Sequence, residues 1–68
     1  VLEVTFDIKS KGEIDKISNL LKKKGSTEVK INLKEENNEL RFKLKNKRYI
    51  DRKSINILRN DDIKAIIH

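Results

Sequence analysis

The spacing of the apolar residues switches between two periods along this chain, and this switching limits the fold more than any other feature. Residues 1–8 alternate, with Leu2, Val4, Phe6 and Ile8 on one face and polar residues on the other. A period of two is that of a strand with one buried face. The chain is therefore predicted to begin with a half-buried β-strand.

A first helix is predicted over residues 11–24. Ser10 and Glu13 have the capping-box spacing, in which hydroxyl and carboxylate each satisfy a free amide at a helix start. An apolar stripe at helical spacing follows, formed by Ile14, Ile17, Leu20 and Leu21. Lys22–Lys24 are predicted to lie in the last turn, where the helix dipole favours cations, and Gly25 is predicted to end the helix in a left-handed conformation.

Two more alternating segments predict a hairpin. Their apolar residues are Val29, Ile31 and Leu33 in the first, and Leu40, Phe42 and Leu44 in the second. Asn37 and Asn38 lie between them and tolerate the positive φ that tight turns need. The polar segment Lys45–Arg48 is predicted to be a loop.

A second helix and a last strand complete the chain. Tyr49 and Ile50 form a short apolar return, and Asp51 is a predicted helix cap. Ile55 and Leu58 supply the helix's apolar face, and Asn60 with Asp61 is predicted to end it. The last strand is predicted from the alternation of Ile63, Ala65 and Ile67.

The resulting order, β-α-β-β-α-β, predicts an α+β fold: a ferredoxin-like antiparallel four-stranded sheet with two helices on one face. The core face would carry Leu2, Val4, Phe6, Val29, Ile31, Leu40, Phe42 and Leu44. The opposite face would be left open and carry Glu3, Thr5, Asp7, Lys30, Asn32, Arg41, Lys43 and Lys45.

The length of 68 residues allows one domain, which we expect to be a C-terminal accessory or docking domain spanning 1–68. No cysteine is available for disulfides or thiolate metal sites. No apolar run reaches the roughly 20 residues of a membrane span, and no signal peptide is recognisable, so a cytoplasmic location is expected. Because the chain opens on Val1 inside a strand pattern, we expect it to be excised from a longer protein.

The formal net charge of +6 is compatible with two interpretations. Lysine and arginine gain affinity for nucleic acids by releasing counterions from phosphates. However, Lys, Asn and Ile fill 30 of the 68 positions, which is the composition that an A+T-rich genome imposes through its codons. Lysine also outnumbers arginine 13 to 4, although phosphate and base contacts often favour the forked guanidinium.

Groups that could converge on a catalytic site are few. His68 is the only histidine and lacks a second ligand or an orienting carboxylate near it in sequence. The carboxylate pairs Glu35–Glu36 and Asp61–Asp62 are expected to be a solvated hairpin tip and a helix-ending turn. Neither Gly12 nor Gly25 belongs to a phosphate-binding loop. The sequence thus predicts no catalytic activity, no cofactor, no metal and no small-molecule substrate.

Nucleic-acid binding by the open face is one hypothesis for function, with Lys30, Arg41, Lys43 and Lys45 as its candidate residues. Sheets that bind RNA stack bases on outward aromatic residues, and none is predicted here because Phe6 and Phe42 both face the core. If the first and third strands were neighbours, the carboxylates of the first would also pair with the cations of the third. Lys22–Lys24 could contact phosphates or an acidic partner, or be present for the helix dipole alone.

Several segments of the chain resemble a known family when taken together. These are residues 4–7, 14–21, 25–33, 39–44 (Glu-Leu-Arg-Phe-Lys-Leu), 48–50 (Arg-Tyr-Ile) and 57–60 (Ile-Leu-Arg-Asn). In this order they resemble the extreme C-terminus of the alpha subunit of bacterial DNA polymerase III. The resemblance covers nearly the whole chain and consists mostly of apolar periodicity, with the Arg-Tyr-Ile step and the Leu-Arg pair as its more specific parts.

The resemblance implies a docking module of a DNA-directed DNA polymerase, a nucleotidyltransferase whose catalytic residues lie upstream. In that family the clamp-loader tau subunit binds this tail, so tau is the expected partner in DNA replication. The candidate partner-binding residues are Arg48, Tyr49, Leu58 and Arg59. The chain contains no glutamine, so the family's glutamine-led clamp-binding peptide is not within it. A third hypothesis is a purely structural subdomain that packs against a neighbour in the parent chain.

Overall fold

The structure is a computed structural model and describes residues 3–68. It contains six elements: β1 Glu3–Ile8, α1 Gly12–Leu20, β2 Lys24–Lys34, β3 Glu39–Lys43, α2 Arg52–Asn60 and β4 Lys64–Ile67. The predicted order β-α-β-β-α-β is confirmed. Val1 and Leu2, which were assigned to the first strand and the core, lie outside the described residues.

The four strands form one mixed sheet in the order β3-β2-β1-β4. β1 and β2 are parallel, whereas the β1–β4 and β2–β3 pairs are antiparallel. The prediction of an antiparallel sheet is therefore wrong, and β2 occupies the place beside β1 that a ferredoxin-like order gives to β3. The parallel register places apolar residues directly opposite each other, as in the pairs Val4–Val29 and Phe6–Ile31. Alternation along a strand determines its buried face, but it does not determine its neighbour.

The core lies on one face of the sheet. Val4, Phe6 and Ile8 of β1 and Val29, Ile31 and Leu33 of β2 are all buried there. The helix side of the same cluster comprises Ile17, Leu21, Ile55 and Leu58. Ile63 and Ala65 extend it beneath β4. Because residues from both helices join one cluster, both helices cover the same face, as predicted.

The β3 strand departs from the predicted core. Leu40 and Phe42 pair with Leu33 and Ile31, so they have the inward parity that the sequence indicates. Their side chains are nevertheless 54% and 39% exposed, and every residue of β3 is exposed. β3 is one of the two edge strands, and the helices do not cover it. Leu40 and Phe42 were therefore wrongly assigned to the core, whereas Leu44 is partly buried against it.

The first helix is shorter than predicted, ending at Leu20 instead of residue 24. No side chain caps its first turn; Glu13 Oε1 instead accepts weak hydrogen bonds from Ser10 Oγ at 3.3 Å and from the Lys9 amide at 3.4 Å. Lys22–Lys24 follow the helix, and its last turn contains no basic residue. The helix-dipole explanation for these lysines is therefore wrong.

Gly25 lies in β2 and does not adopt a positive φ, so its predicted role as a left-handed stop is wrong. Its role is to permit a close approach of two backbones. A Cβ placed on Gly25 would lie 2.5 Å from the Tyr49 amide nitrogen and 2.7 Å from the Arg48 carbonyl carbon. Any side chain at this position would push residues 48 and 49 away from β2.

The β2–β3 hairpin turns at residues 35–38, where the Glu35 amide donates to the Asn38 carbonyl at 2.8 Å. Neither Asn37 nor Asn38 has a positive φ, so the predicted turn conformation is wrong. By contrast, the predicted cap of α2 is confirmed, since Asp51 Oδ1 accepts from the Ser54 amide at 2.7 Å.

The C-terminal end of α2 is a Schellman motif. Asp62 has a φ of 63° and is the only non-glycine residue of 3–68 with a positive φ. Its amide donates to the Arg59 carbonyl at 3.1 Å, and the Ile63 amide donates to the Leu58 carbonyl at 3.0 Å. Both Leu58 and Ile63 are buried, which supplies the apolar contact typical of this motif.

Candidate functional site

The sheet face opposite the helices, called the open face below, carries a network of paired charges. Its residues are Glu3, Thr5, Asp7, Glu28, Lys30, Asn32, Lys34, Glu39, Arg41, Lys43, Lys64 and Ile66. Of the predicted nucleic-acid residues, Lys30, Arg41 and Lys43 lie on it, whereas Lys45 lies in the loop after β3.

Four of the five cations of the open face have carboxylate partners. Lys30 Nζ lies 2.9 Å from Glu3 Oε1, and Lys43 Nζ lies 3.6 Å from Glu28 Oε1. The other pairs are Lys34–Asp7 at 3.7 Å and Arg41–Glu39 at 3.1 Å. With five basic and four acidic side chains, the face is close to neutral. It therefore lacks the charge excess that phosphate binding requires.

The route of this pairing differs from the prediction. The predicted ion pairs join the first strand directly to the third, but β2 lies between these two strands. Glu3 and Asp7 of β1 instead pair with lysines of β2, and Glu28 of β2 pairs with β3. Asn32 also donates to Asp7 Oδ1 at 3.1 Å. The self-paired face arises because β2 contributes both signs of charge.

The shortest of these ion pairs shifts the pKa of both partners. The hydrogen bond from Lys30 lowers the pKa of Glu3 below its ordinary value of 4.5. The same bond raises the pKa of Lys30 above its ordinary 10.5. Both side chains are solvent-exposed, so screening by water and salt keeps the pair weak.

Three of the four candidate partner-binding residues hold the fold together in this structure. Leu58 is fully buried in the core, so a partner has no access to its side chain. Arg59 Nη2 donates to the Ala65 carbonyl at 3.2 Å, linking α2 to β4. Arg48 Nη1 donates to the Leu21 carbonyl at 2.8 Å, just beyond α1.

Tyr49 lies at the surface, as does Arg59. Tyr49 is 49% exposed, while its backbone amide donates to the Lys23 carbonyl at 2.7 Å. Lys23 Nζ lies 4.9 Å from the ring centroid, within the range of a cation–π contact. Tyr49 is thus an exposed aromatic on a backbone that is fixed against β2.

A second set of cations lies on two chain segments that pair beside Tyr49, and the sequence predicts these segments as two separate features. It is called the lysine junction below and consists of Lys22, Lys23, Lys24, Lys45, Lys47 and Arg48. The Gly25 amide donates to the Lys47 carbonyl at 3.3 Å, and Lys24 and Arg48 form a β-bridge. A signal was present in the two lysine-rich runs, but only the tertiary pairing shows that they meet.

The acidic residues and the histidine do not form a site within residues 3–68. No three His, Asp or Glu side chains in this range are grouped so as to hold a metal ion. Asp61 pairs with Lys16 at 3.3 Å, and Glu35 takes part in the hairpin turn. The His68 ring lies 3.3 Å from the Thr5 hydroxyl, and its backbone amide donates to the Glu3 carbonyl at 2.8 Å.

Neither helix in the described part of the chain is long and apolar enough to cross a membrane. Comparison of the sequence with models of protein families, with curated proteins and with solved structures finds no match.

Proposed function

We propose that this chain is a non-catalytic protein-docking module. The supporting observation is the uncovered β3 edge. Leu40 and Phe42 lie there on one face of the strand and are 54% and 39% exposed. Following the resemblance, the parent protein is the alpha subunit of a bacterial DNA polymerase III in the cytoplasm, and the partner is the clamp-loader tau subunit.

The β3 edge has two features of a strand that accepts a partner. β3 pairs with β2 on one side only, so the backbone amides and carbonyls of its other side point away from the sheet. Such groups can extend the sheet by pairing with a strand from another protein. Leu40 and Phe42 are two residues apart and share a face, so they would contact alternate side chains of an added segment.

The fold also narrows the set of residues that could contact tau. Leu58 is buried, so its substitution would act on stability before it acted on binding. Arg48 and Arg59 each donate a hydrogen bond to a backbone carbonyl, although Arg59 is exposed. Tyr49 is exposed and its backbone is hydrogen-bonded to Lys23, so it is the aromatic candidate for an anchor.

Titration of the fluorescently labelled 68-residue chain with the C-terminal part of tau from the same organism tests the proposal. We expect saturable binding that weakens by roughly tenfold or more in Phe42→Ser, because anchor side chains in a docked strand contribute this much or more. Ile57→Ser is the matched control, since Ile57 is 40% exposed but lies on α2. Urea unfolding of each variant confirms that it is folded.

Two outcomes would contradict the proposal. Absence of binding at roughly 100 μM tau would exclude an autonomous tau site of useful affinity. Binding that is equally strong in wild type and Phe42→Ser would exclude the β3 edge as the contact surface. The purely structural alternative predicts no partner for the isolated chain.

Nucleic-acid binding by the open face is the weaker alternative, because four of its five cations are already paired. It predicts that reversing the charge of Lys30 and Lys43 weakens binding and that affinity falls steeply with salt. Binding that responds to neither change would exclude this use of the face.

A further inference from the structure

The lysine junction is a cluster of cations at one end of the sheet. It holds six of the 17 basic residues of the sequence. Within residues 3–68, no salt bridge involves any of these six side chains. By contrast, four of the five cations on the open face have a carboxylate partner. The positive charge of the junction is therefore not neutralised by ion pairs in the described part of the chain.

The junction is a fixed structure because two chain segments are bonded together there. The Tyr49 amide donates to the Lys23 carbonyl at 2.7 Å, and the Arg48 guanidinium donates to the Leu21 carbonyl at 2.8 Å. The absence of a side chain at Gly25 allows the two backbones to approach this closely. The five lysine side chains themselves are exposed to solvent. The bonded backbones thus bring the solvent-exposed lysines of the two segments together.

The same surface contains an exposed aromatic ring. Tyr49 lies beside Lys23, whose Nζ is 4.9 Å from the ring centroid. Proteins that bind single-stranded nucleic acid combine cations along the backbone with aromatic rings on which bases stack. Lysine suits contacts to phosphates that carry no sequence information, because it acts as a point charge without a fixed geometry.

We propose that the lysine junction binds single-stranded nucleic acid, with its lysines on the phosphates and Tyr49 stacked against a base. An acidic protein segment would use the cations but would leave the role of the ring unexplained. A duplex would also leave it unexplained, because paired bases keep their faces inside the stack. This surface is separate from the β3 edge and from the open face. It shares Tyr49 with the docking proposal, so the Phe42→Ser variant of the β3 edge is the one that separates the two proposals.

Fluorescence anisotropy of a labelled oligothymidylate of roughly 15 nucleotides, titrated with the 68-residue chain, tests the inference. If about four phosphates are contacted, the slope of log K against log salt is close to −3. Affinity should then fall about 50-fold between roughly 50 and 200 mM salt. A salt-independent affinity, or no binding at the lower salt concentration, would overturn the inference.

Two pairs of variants locate the site. Lys22→Glu with Lys47→Glu should weaken binding by about tenfold or more by reversing two phosphate contacts. Lys9→Glu with Lys11→Glu is the charge-matched control. Both lysines are exposed and follow the last residue of β1, at the end of the sheet opposite the lysine junction. Tyr49→Ala should weaken binding by about fivefold or more, and Tyr49→Phe should retain it because its ring still stacks.

The remaining outcomes also decide the matter. Equal losses in the two lysine pairs would show that only net charge matters and would overturn the junction as a site. A polyglutamate peptide that competes as well as the oligonucleotide, with no effect of Tyr49→Ala on either ligand, would assign the junction to acidic proteins instead. The Phe42→Ser variant should bind the oligonucleotide like the wild type, so a failure of one proposal is distinguishable from a failure of the other.

Discussion

Gly25 lies directly against the backbone of Tyr49, with space for a hydrogen atom but none for a methyl group. This contact joins the start of β2 to the segment that follows β3. It therefore supports both the fold and the position of the exposed Tyr49 ring.

Substitution of Gly25 by alanine should destabilise the protein by about 1–3 kcal/mol, the usual cost of inserting a methyl group into a filled space. Chemical denaturation in urea measures the change. Gly12→Ala is the matched control, because a Cβ at Gly12 meets nothing within 4 Å. A free energy of unfolding that is unchanged in Gly25→Ala would show that the two backbones are not in close contact.

Leu58→Ala should cost about 2–5 kcal/mol, because it removes a fully buried side chain from the core. This is comparable to the whole stability expected of a domain of this size. The neighbouring Ile57→Ala should cost less than about 1 kcal/mol, since Ile57 is partly exposed. Thermal unfolding of both variants compares the buried Leu58 with the exposed Ile57. Equal losses of stability would contradict the assignment of Leu58 to the core.

Asp62→Gly should stabilise the protein by about 0.5–1 kcal/mol. Asp62 is held at a φ of 63°, where glycine has no Cβ to strain the backbone. The adjacent Asp61→Gly should give no gain, because Asp61 has a φ of −93° and pairs with Lys16. Urea unfolding midpoints compare the two variants, and a loss of stability in Asp62→Gly would refute the expected relief of strain.

Acid should destabilise the protein partly through Asp51. Its hydrogen bonds with Ser54 lower the pKa of Asp51 below its ordinary 3.8. A lowered folded-state pKa means that the stabilisation is present above the unfolded value and is lost as the pH falls through the folded one. Asp51→Asn keeps a capping oxygen but does not titrate. Its unfolding midpoint should therefore depend less on pH below about 3.8 than that of the wild type.

The Glu3–Lys30 pair should give a second acid dependence with the same sign. Because the pKa of Glu3 is lowered by Lys30, its contribution is lost as the pH falls below about 4.5. The raised pKa of Lys30 places the alkaline loss above about 10.5. Glu3→Gln should remove both dependences, as measured by urea unfolding across the pH range. Identical pH profiles for wild type and variant would contradict the pairing.

Much of the local structure follows from the sequence alone. Alternation and helical spacing predicted all six elements in order, and the Asp51 cap is where its residue type placed it. These features depend on interactions between residues close in sequence, so the sequence contains the information directly.

The positions of the strands were decided by tertiary structure. Phe42 has the parity of a core residue, yet it is exposed because β3 lies at the edge of the sheet. Parity reports which face a side chain occupies, and burial also requires a helix above it. The role of Gly25 also depends on tertiary structure, because the backbone that it contacts belongs to Tyr49, 24 positions away in sequence. For this reason its predicted role as a helix stop was wrong.

The candidate sites show the same division. The sequence by itself determined a net charge of +6, two lysine-rich runs and one tyrosine. The tertiary structure decided that four of the five open-face cations are paired, that Leu58 is buried, and that the two runs meet beside Tyr49. The physical reason is that charge is a property of each residue, whereas the neutralisation or concentration of charge depends on which distant segments the sheet brings together.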